Sequence, residues 1–200
     1  MKRFKIDGYG QLELNFASFR RAGQIEAQCH LGKIPALDAD GAEIYDDNGD
    51  VVMQTIPYIE NGMFLAIDHA KRTVNFPDGN AESEVYALNY SAEHMYDERQ
   101  RGLKHFRLEA NGPLPRMGYP NKGDKWTTNC LSYDDDFYGE EVDAKDFIHN
   151  ALAEGTALYG RVNPTGALEI VSAKDEWCVA KVVKETTMPD GQWAIQFVAL

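Results

Sequence analysis

Two acidic runs, five histidines and three cysteines are the residues of this chain best suited to chemistry. The run DDDFYGEEVDAKD (134–146) sets seven carboxylates against Lys145 alone, and DADGAEIYDDNGD (38–50) carries six with no basic residue. Oxygen ligands at this density suggest a calcium loop, and the spacing can be checked. A loop starting at Asp134 has Asp136 third and Gly139 sixth, but Tyr138 falls fifth. Lys145 falls twelfth, where a bidentate carboxylate must coordinate. Starts at Asp38 and Asp46 fail the same test at Gly49 and Pro57. Both runs therefore read as solvated acidic loops, with no metal site.

The histidines are His30, His69, His94, His105 and His149, and no two have the helical spacing of a metal pair. His94 lies three residues before Asp97, a spacing that can orient an imidazole, but no nucleophile stands beside it and a surface turn explains it. Ser172 and Lys174 are neighbours without a shared face, no G-x-S-x-G elbow occurs, and GYG (8–10) lacks the rest of a phosphate-binding loop. Cys29, Cys130 and Cys178 are far apart, odd in number and set in strand-like runs. They read as small buried hydrophobes, not as a disulfide framework or zinc ligands. No cofactor is expected, and nothing selects a catalytic set. A hydrolase with an unrecognised site stays as an alternative.

The elements that would position these groups are mostly strands. QLELNF (11–16) and QIEAQCHL (24–31) alternate apolar and polar residues, which predicts two half-buried strands joined around RRAG. DVVMQTI, MFLAI, RTVNF, VYALNYS and FRLEA are short, apolar and bounded by turn residues. DNG (47–49) predicts a hairpin turn. ALYGRV and ALEIVS flank the turn NPTG, and CVAKVVKE and QWAIQFVAL flank MPDG, so two further hairpins are expected. One helix is predicted over 143–154, within VDAKDFIHNALAEG, with Asp143 as its cap and Gly155 as its stop. No internal repeat of fixed period is read. The expected fold is mainly β with one helix (α+β), its short antiparallel strands paired in hairpins to form a sandwich or small barrel. The stretch 112–124 is rich in Pro and Gly. It separates an N-terminal β region (1–111) from a C-terminal β region with the helix (125–200), either as a linker or as a loop within one continuous domain.

Net charge is −12 over 200 residues, which excludes a general nucleic-acid binder. No apolar run approaches the roughly 18 residues of a membrane span, and MKRFKIDGYGQLEL has no apolar core of a signal peptide. Synthesis in the cytoplasm is expected. Basic residues gather at the start (Lys2, Arg3, Lys5), at Arg20–Arg21 and in RQRGLKHFR (99–107), strips that could dock on a charged protein partner. An acidic inhibitor that mimics DNA is an alternative, but its carboxylates must be spaced like phosphates. Here they cluster in turn-like segments.

AKVVKETTMPDGQWAIQFVAL (180–200) resembles the C-terminal end of small virion proteins of tailed bacteriophages, often encoded beside the major capsid protein. IENGMFLAID (59–68), VYALNYSAEHMYDERQRGLKHFRLE (85–109) and KGDKWTTNC (122–130) are similar to the same group. The likeness touches about half of the chain, discontinuously. It implies a non-enzymatic virion protein, made in the host cytoplasm, that decorates or stabilises the capsid. The implied partners are the major capsid protein and further copies on the capsid surface, with no nucleic acid or membrane. Candidate capsid contacts, taken from the charge distribution, are Arg20, Arg21, Arg99, Arg101, Lys104 and Arg107. The acidic stretch 38–50 has no counterpart in this resemblance.

Overall fold

The computed structural model describes residues 1–15, 17, 19, 23–78, 85–91 and 103–200. The fold is mainly β, with two large curled sheets. The C-terminal hairpin forms as its turn chemistry predicts. Strands Cys178–Thr187 and Trp193–Ala199 pair antiparallel, with a bulge between Val182 and Lys184. Gly191 takes φ 87° in the connecting turn, and the Met188 amide donates to the Gln192 carbonyl at 2.8 Å. The NPTG hairpin also forms, pairing Tyr159–Arg161 with Leu168–Val171.

These hairpins are the centre of an eight-stranded sheet. Its order is Lys2–Arg3, Leu131–Tyr133, Leu168–Val171, Tyr159–Arg161, Cys178–Thr187, Trp193–Ala199, Lys125–Thr128, Leu12–Glu13. A six-stranded sheet runs Ile25–Glu26, Met117–Gly118, Val85–Asn89, Phe64–Asp68, Thr73–Asn75, His30–Leu31. Pairing is not antiparallel throughout: Leu131–Tyr133 with Leu168–Val171, and His30–Leu31 with Thr73–Asn75, are parallel. The Pro/Gly-rich stretch 112–124 contributes Met117–Gly118, which is bonded on both sides.

QLELNF and QIEAQCHL do not pair with each other. Leu12–Glu13 joins the first sheet and Ile25–Glu26 the second. QIEAQCHL is also not one strand. It breaks into Ile25–Glu26 and His30–Leu31, with Gln24 buried and Ile25 exposed against the expected phase. These two pieces are the opposite edges of the six-stranded sheet. Laid flat, its edges would stand about 24 Å apart. The three intervening residues allow at most about 15 Å between Glu26 and His30. The sheet must therefore curl, and its curl brings Glu26 within 3.8 Å of His69, which follows strand Phe64–Asp68.

Strand Phe64–Asp68 is buried on both faces, which accounts for the unbroken apolar run MFLAI. Phe64 and Leu88 pack in the core shared with the eight-stranded sheet, where Phe64 and Phe197 flank the Trp126 ring at 5.6 and 5.9 Å. Leu65, Ile67 and Ala87 face the second core, with Ile56, Ile59 and Met117.

The predicted helix runs Glu141–Ala153 and buries Ala144, Ile148 and Ala151. Its N-cap is Glu140, without a side-chain cap bond, so Asp143 lies in the first turn and does not cap it. Gly155 stops it at φ 77°, with the Gly155 amide on the Leu152 carbonyl and the Thr156 amide on the Ala151 carbonyl, a Schellman pattern. A second helix, Asp135–Tyr138, is additional to the one expected. Asp134 caps it by accepting from the Asp136 amide at 3.1 Å. The acidic run 134–146 thus starts two helices, where carboxylates suit the N-terminal dipole.

Candidate interaction surface

Strands Lys33–Pro35 and Met53–Thr55 pair as a stem, and residues 36–52 project from it as an arm. Three backbone bonds close a ring at its base. The Ile44 amide donates to the Ala36 carbonyl at 2.9 Å, Val52 to Ile44 at 2.8 Å, and Ala36 to Val52 at 2.7 Å. The three residues are eight apart, and a ribbon leaves the ring after each. One is bridged at Leu37–Glu43, the next at Tyr45–Val51, and the third is the stem at Met53–Pro35.

The two free ribbons are built alike. Asp38 Oδ1 accepts from the Asp40 and Ala42 amides, and Asp46 Oδ1 from the Asn48 and Asp50 amides. Gly41 and Gly49 take φ 83° and 84° at matching positions. The amides of Asp50 and Asn48 hold the Asp46 carboxyl below its ordinary range. An eight-residue correspondence, ALDADGAE followed by IYDDNGDV, is therefore present where no repeat is read from the sequence. The signal that finds it is D-x-(D/N)-G recurring after one apolar residue.

The arm leaves large apolar side chains in solvent. Leu37, Tyr45 and Met53 are 53%, 58% and 48% exposed, and Ile44 and Val52 are also open. Directly paired residues share a face, as do residues two apart in a strand, so the pairs Leu37–Glu43, Tyr45–Val51 and Pro35–Met53 set Leu37, Tyr45 and Met53 on one face of the junction. The Tyr45 hydroxyl donates to Glu43 Oε2 at 3.1 Å, tying the second ribbon to the first.

Of the candidate contact residues, Arg20, Arg21, Arg99 and Arg101 lie outside the described residues. Lys104 and Arg107 are engaged within the chain. The Lys104 ammonium binds Asp7, and Arg107 binds Glu109 at 2.8 Å while lying over the rings of Tyr58 and Tyr9 at 4.6 and 5.0 Å.

The groups singled out for catalysis do not converge. His94 and Asp97 lie outside the described residues. His149 meets Glu185 at 2.9 Å on the open surface, and His69 meets Glu26 and the Tyr119 hydroxyl. Among the described residues no histidine is bonded to a serine, threonine or cysteine, and no three His, Cys, Asp or Glu could hold a metal ion. Cys29, Cys130 and Cys178 are buried and unpaired, and burial pushes the Cys130 thiol up to about 11. A polar cleft of about 910 Å³ opens beside Phe64–Asp68, but its Asp68 and Lys71 pair with each other at 3.1 Å. Among the described residues no helix is long and apolar enough to cross a membrane.

One buried polar cluster joins the two sheets, and sequence reasoning missed it. Arg3 grips Glu60 through two bonds of 2.7 and 2.8 Å, and the Gly10 amide adds a third at 2.6 Å. Asn89 Nδ2 donates to the Glu60 carbonyl, and Arg3 also reaches Cys130 Sγ at 3.4 Å. Arg3 and Glu60 are 57 residues apart, so no local pattern announces the pair. Its geometry is that of a structural tie. No protein-family model, curated protein or solved structure gives a significant match to this chain.

Proposed function

We propose that the chain is a non-enzymatic structural protein of a tailed-phage virion, which decorates or stabilises the capsid by binding the major capsid protein and neighbouring copies of itself. The observation that carries a binding role is the projecting arm, which holds large apolar side chains in water. The resemblance of 180–200 supplies the partner. That stretch folds into the central hairpin, and its turn residues are used structurally. Gln192 exchanges two bonds with the Asp7 backbone, and Asp190 accepts from Gln11 Nε2 at 2.8 Å. The acidic runs 38–50 and 134–146 spend carboxylates on turns and a helix cap, which does not favour phosphate mimicry.

The six-stranded sheet is read as a small, incompletely closed barrel, since 24–31 supplies both its edges. The basic strips containing Arg20, Arg21, Arg99, Arg101, Lys104 and Arg107 remain the proposed capsid contacts. The test is to purify mature virions of the encoding phage and measure copies of the chain per head. A copy number that is a multiple of the capsid symmetry is expected, and absence from washed particles refutes the reading. Charge reversal by Arg99→Glu, Arg101→Glu and Lys104→Glu should lower occupancy, and unchanged occupancy removes that strip from the interface.

A further inference from the structure

We infer that the arm 36–52 is a docking element for a basic protein surface with an apolar centre. The inference rests on the reading of the chain as a binder, and its test keeps the two apart. The apolar part of the surface is Leu37, Tyr45 and Met53, displayed on one face of the junction. Around it stand Asp38, Asp40, Glu43, Asp46, Asp47 and Asp50, with no basic residue between 38 and 50. This charge selects the occupant. A second arm of the same chain would bring six acids against six, and juxtaposed like charges cost several kcal/mol. Nucleic acid and anionic lipid headgroups are repelled for the same reason. A partner with Lys and Arg around an apolar patch satisfies both features.

The arm is also built to hold its shape before binding. The ring of three backbone bonds fixes the junction, and Asp38 and Asp46 fix the two turns. Little ordering is left to oppose association, which favours affinity per unit of surface. The partner's cations would be met by Asp40, Asp47 and Asp50, whose carboxylates are not the ones that hold the turns.

The register of the stem gives a clean deletion. Ala36 and Val52 follow the Pro35–Met53 pair in register and are joined by a backbone bond of 2.7 Å, so replacing 37–51 by Asn-Gly closes the stem as a two-residue hairpin. None of the removed residues is buried, so the body should fold as before, checked by an unchanged melting temperature. The probe is a short labelled peptide of alternating Lys and Leu, titrated by fluorescence anisotropy, with a Glu/Leu peptide as control. The full chain should bind the basic peptide at least about tenfold more tightly than the arm-deleted chain does, and more tightly than it binds the acidic peptide. Two further variants separate the contributions. Leu37→Ser with Tyr45→Ser and Met53→Ser should weaken binding at all salt concentrations, and Asp40→Asn with Asp47→Asn and Asp50→Asn should reduce its salt dependence. Equal binding by full-length and arm-deleted chains, or binding by neither, overturns the inference. In co-sedimentation with heads, equal uptake of both chains also overturns it. Uptake of neither refutes the virion reading, and the peptide titration then decides the arm alone.

Discussion

Replacing Arg3 by Met tests whether the tie between the sheets is structural. Glu60 is 5% exposed, so its carboxylate would stay in the protein with only the Gly10 amide for company. Stranding a buried charge costs about 3–5 kcal/mol. Arg3 is itself 29% exposed, so the pair is partly hydrated and the lower end, about 3 kcal/mol, applies. For a chain of this size that is a fall in Tm of roughly 6–12 °C. Glu60→Gln should cost less, about 1–2 kcal/mol, because the freed guanidinium can turn to solvent while the amide keeps the Gly10 bond. The double variant should recover part of the loss, leaving a coupling of at least about 1.5 kcal/mol. The assay is urea unfolding of all four proteins, with the midpoint compared at constant m. Additive effects, or a loss below about 1 kcal/mol for Arg3→Met, refute the reasoning.

Three further outcomes follow from the geometry. The Asp190 carboxyl is desolvated, which opposes ionisation, but bonds from Gln192 and Gln11 hold it below its ordinary value. Its stabilising contribution is complete above pH about 4 and is lost as pH falls through the folded value. Asp190→Asn should therefore be less stable at pH 7 by under about 1 kcal/mol, with the gap closing in acid, and a gap that widens in acid contradicts this. Gly62→Ala should cost about 3 kcal/mol, since Gly62 has φ 87° and a Cβ there would stand 2.2 Å from Thr128 Oγ1. A neutral result by thermal melting refutes it. Removing 192–200 deletes a strand bonded on both sides, with Ala194, Ile195, Phe197 and Ala199 from the core. A soluble, cooperatively melting product would show that the strand is dispensable.

The elements legible in the sequence are those whose partners lie nearby. MPDG and NPTG each announce a turn joining adjacent strands, and Gly155 ends its helix by local geometry alone. The unbroken alternation of QIEAQCHL predicts one strand, whereas its two halves take partners at opposite sheet edges. Asp134 sits in a run of acids that hides its role as a cap, and the helix behind it, Asp135–Tyr138, is too short to show a period. The arm was partly legible. DNG announces one turn, but the matching DADG eight residues earlier has Asp40 in place of Asn48 and reads as acidity. Arg3 and Glu60 offered no signal at all, because a single cation and a single acid become a pair only when the fold brings them together.

The double role of residues 24–31 has a further consequence. A sheet whose first and last strands belong to one short stretch of chain has no margin that can fray alone, because releasing Ile25–Glu26 also pulls on His30–Leu31. The strands between them, Met117–Gly118 through Thr73–Asn75, are clasped by a single local segment. Their amides should exchange with solvent in one concerted opening and not in sequence from an edge. The same clasp leaves little exposed ladder for a foreign strand to extend, which limits aggregation through the edges of this sheet.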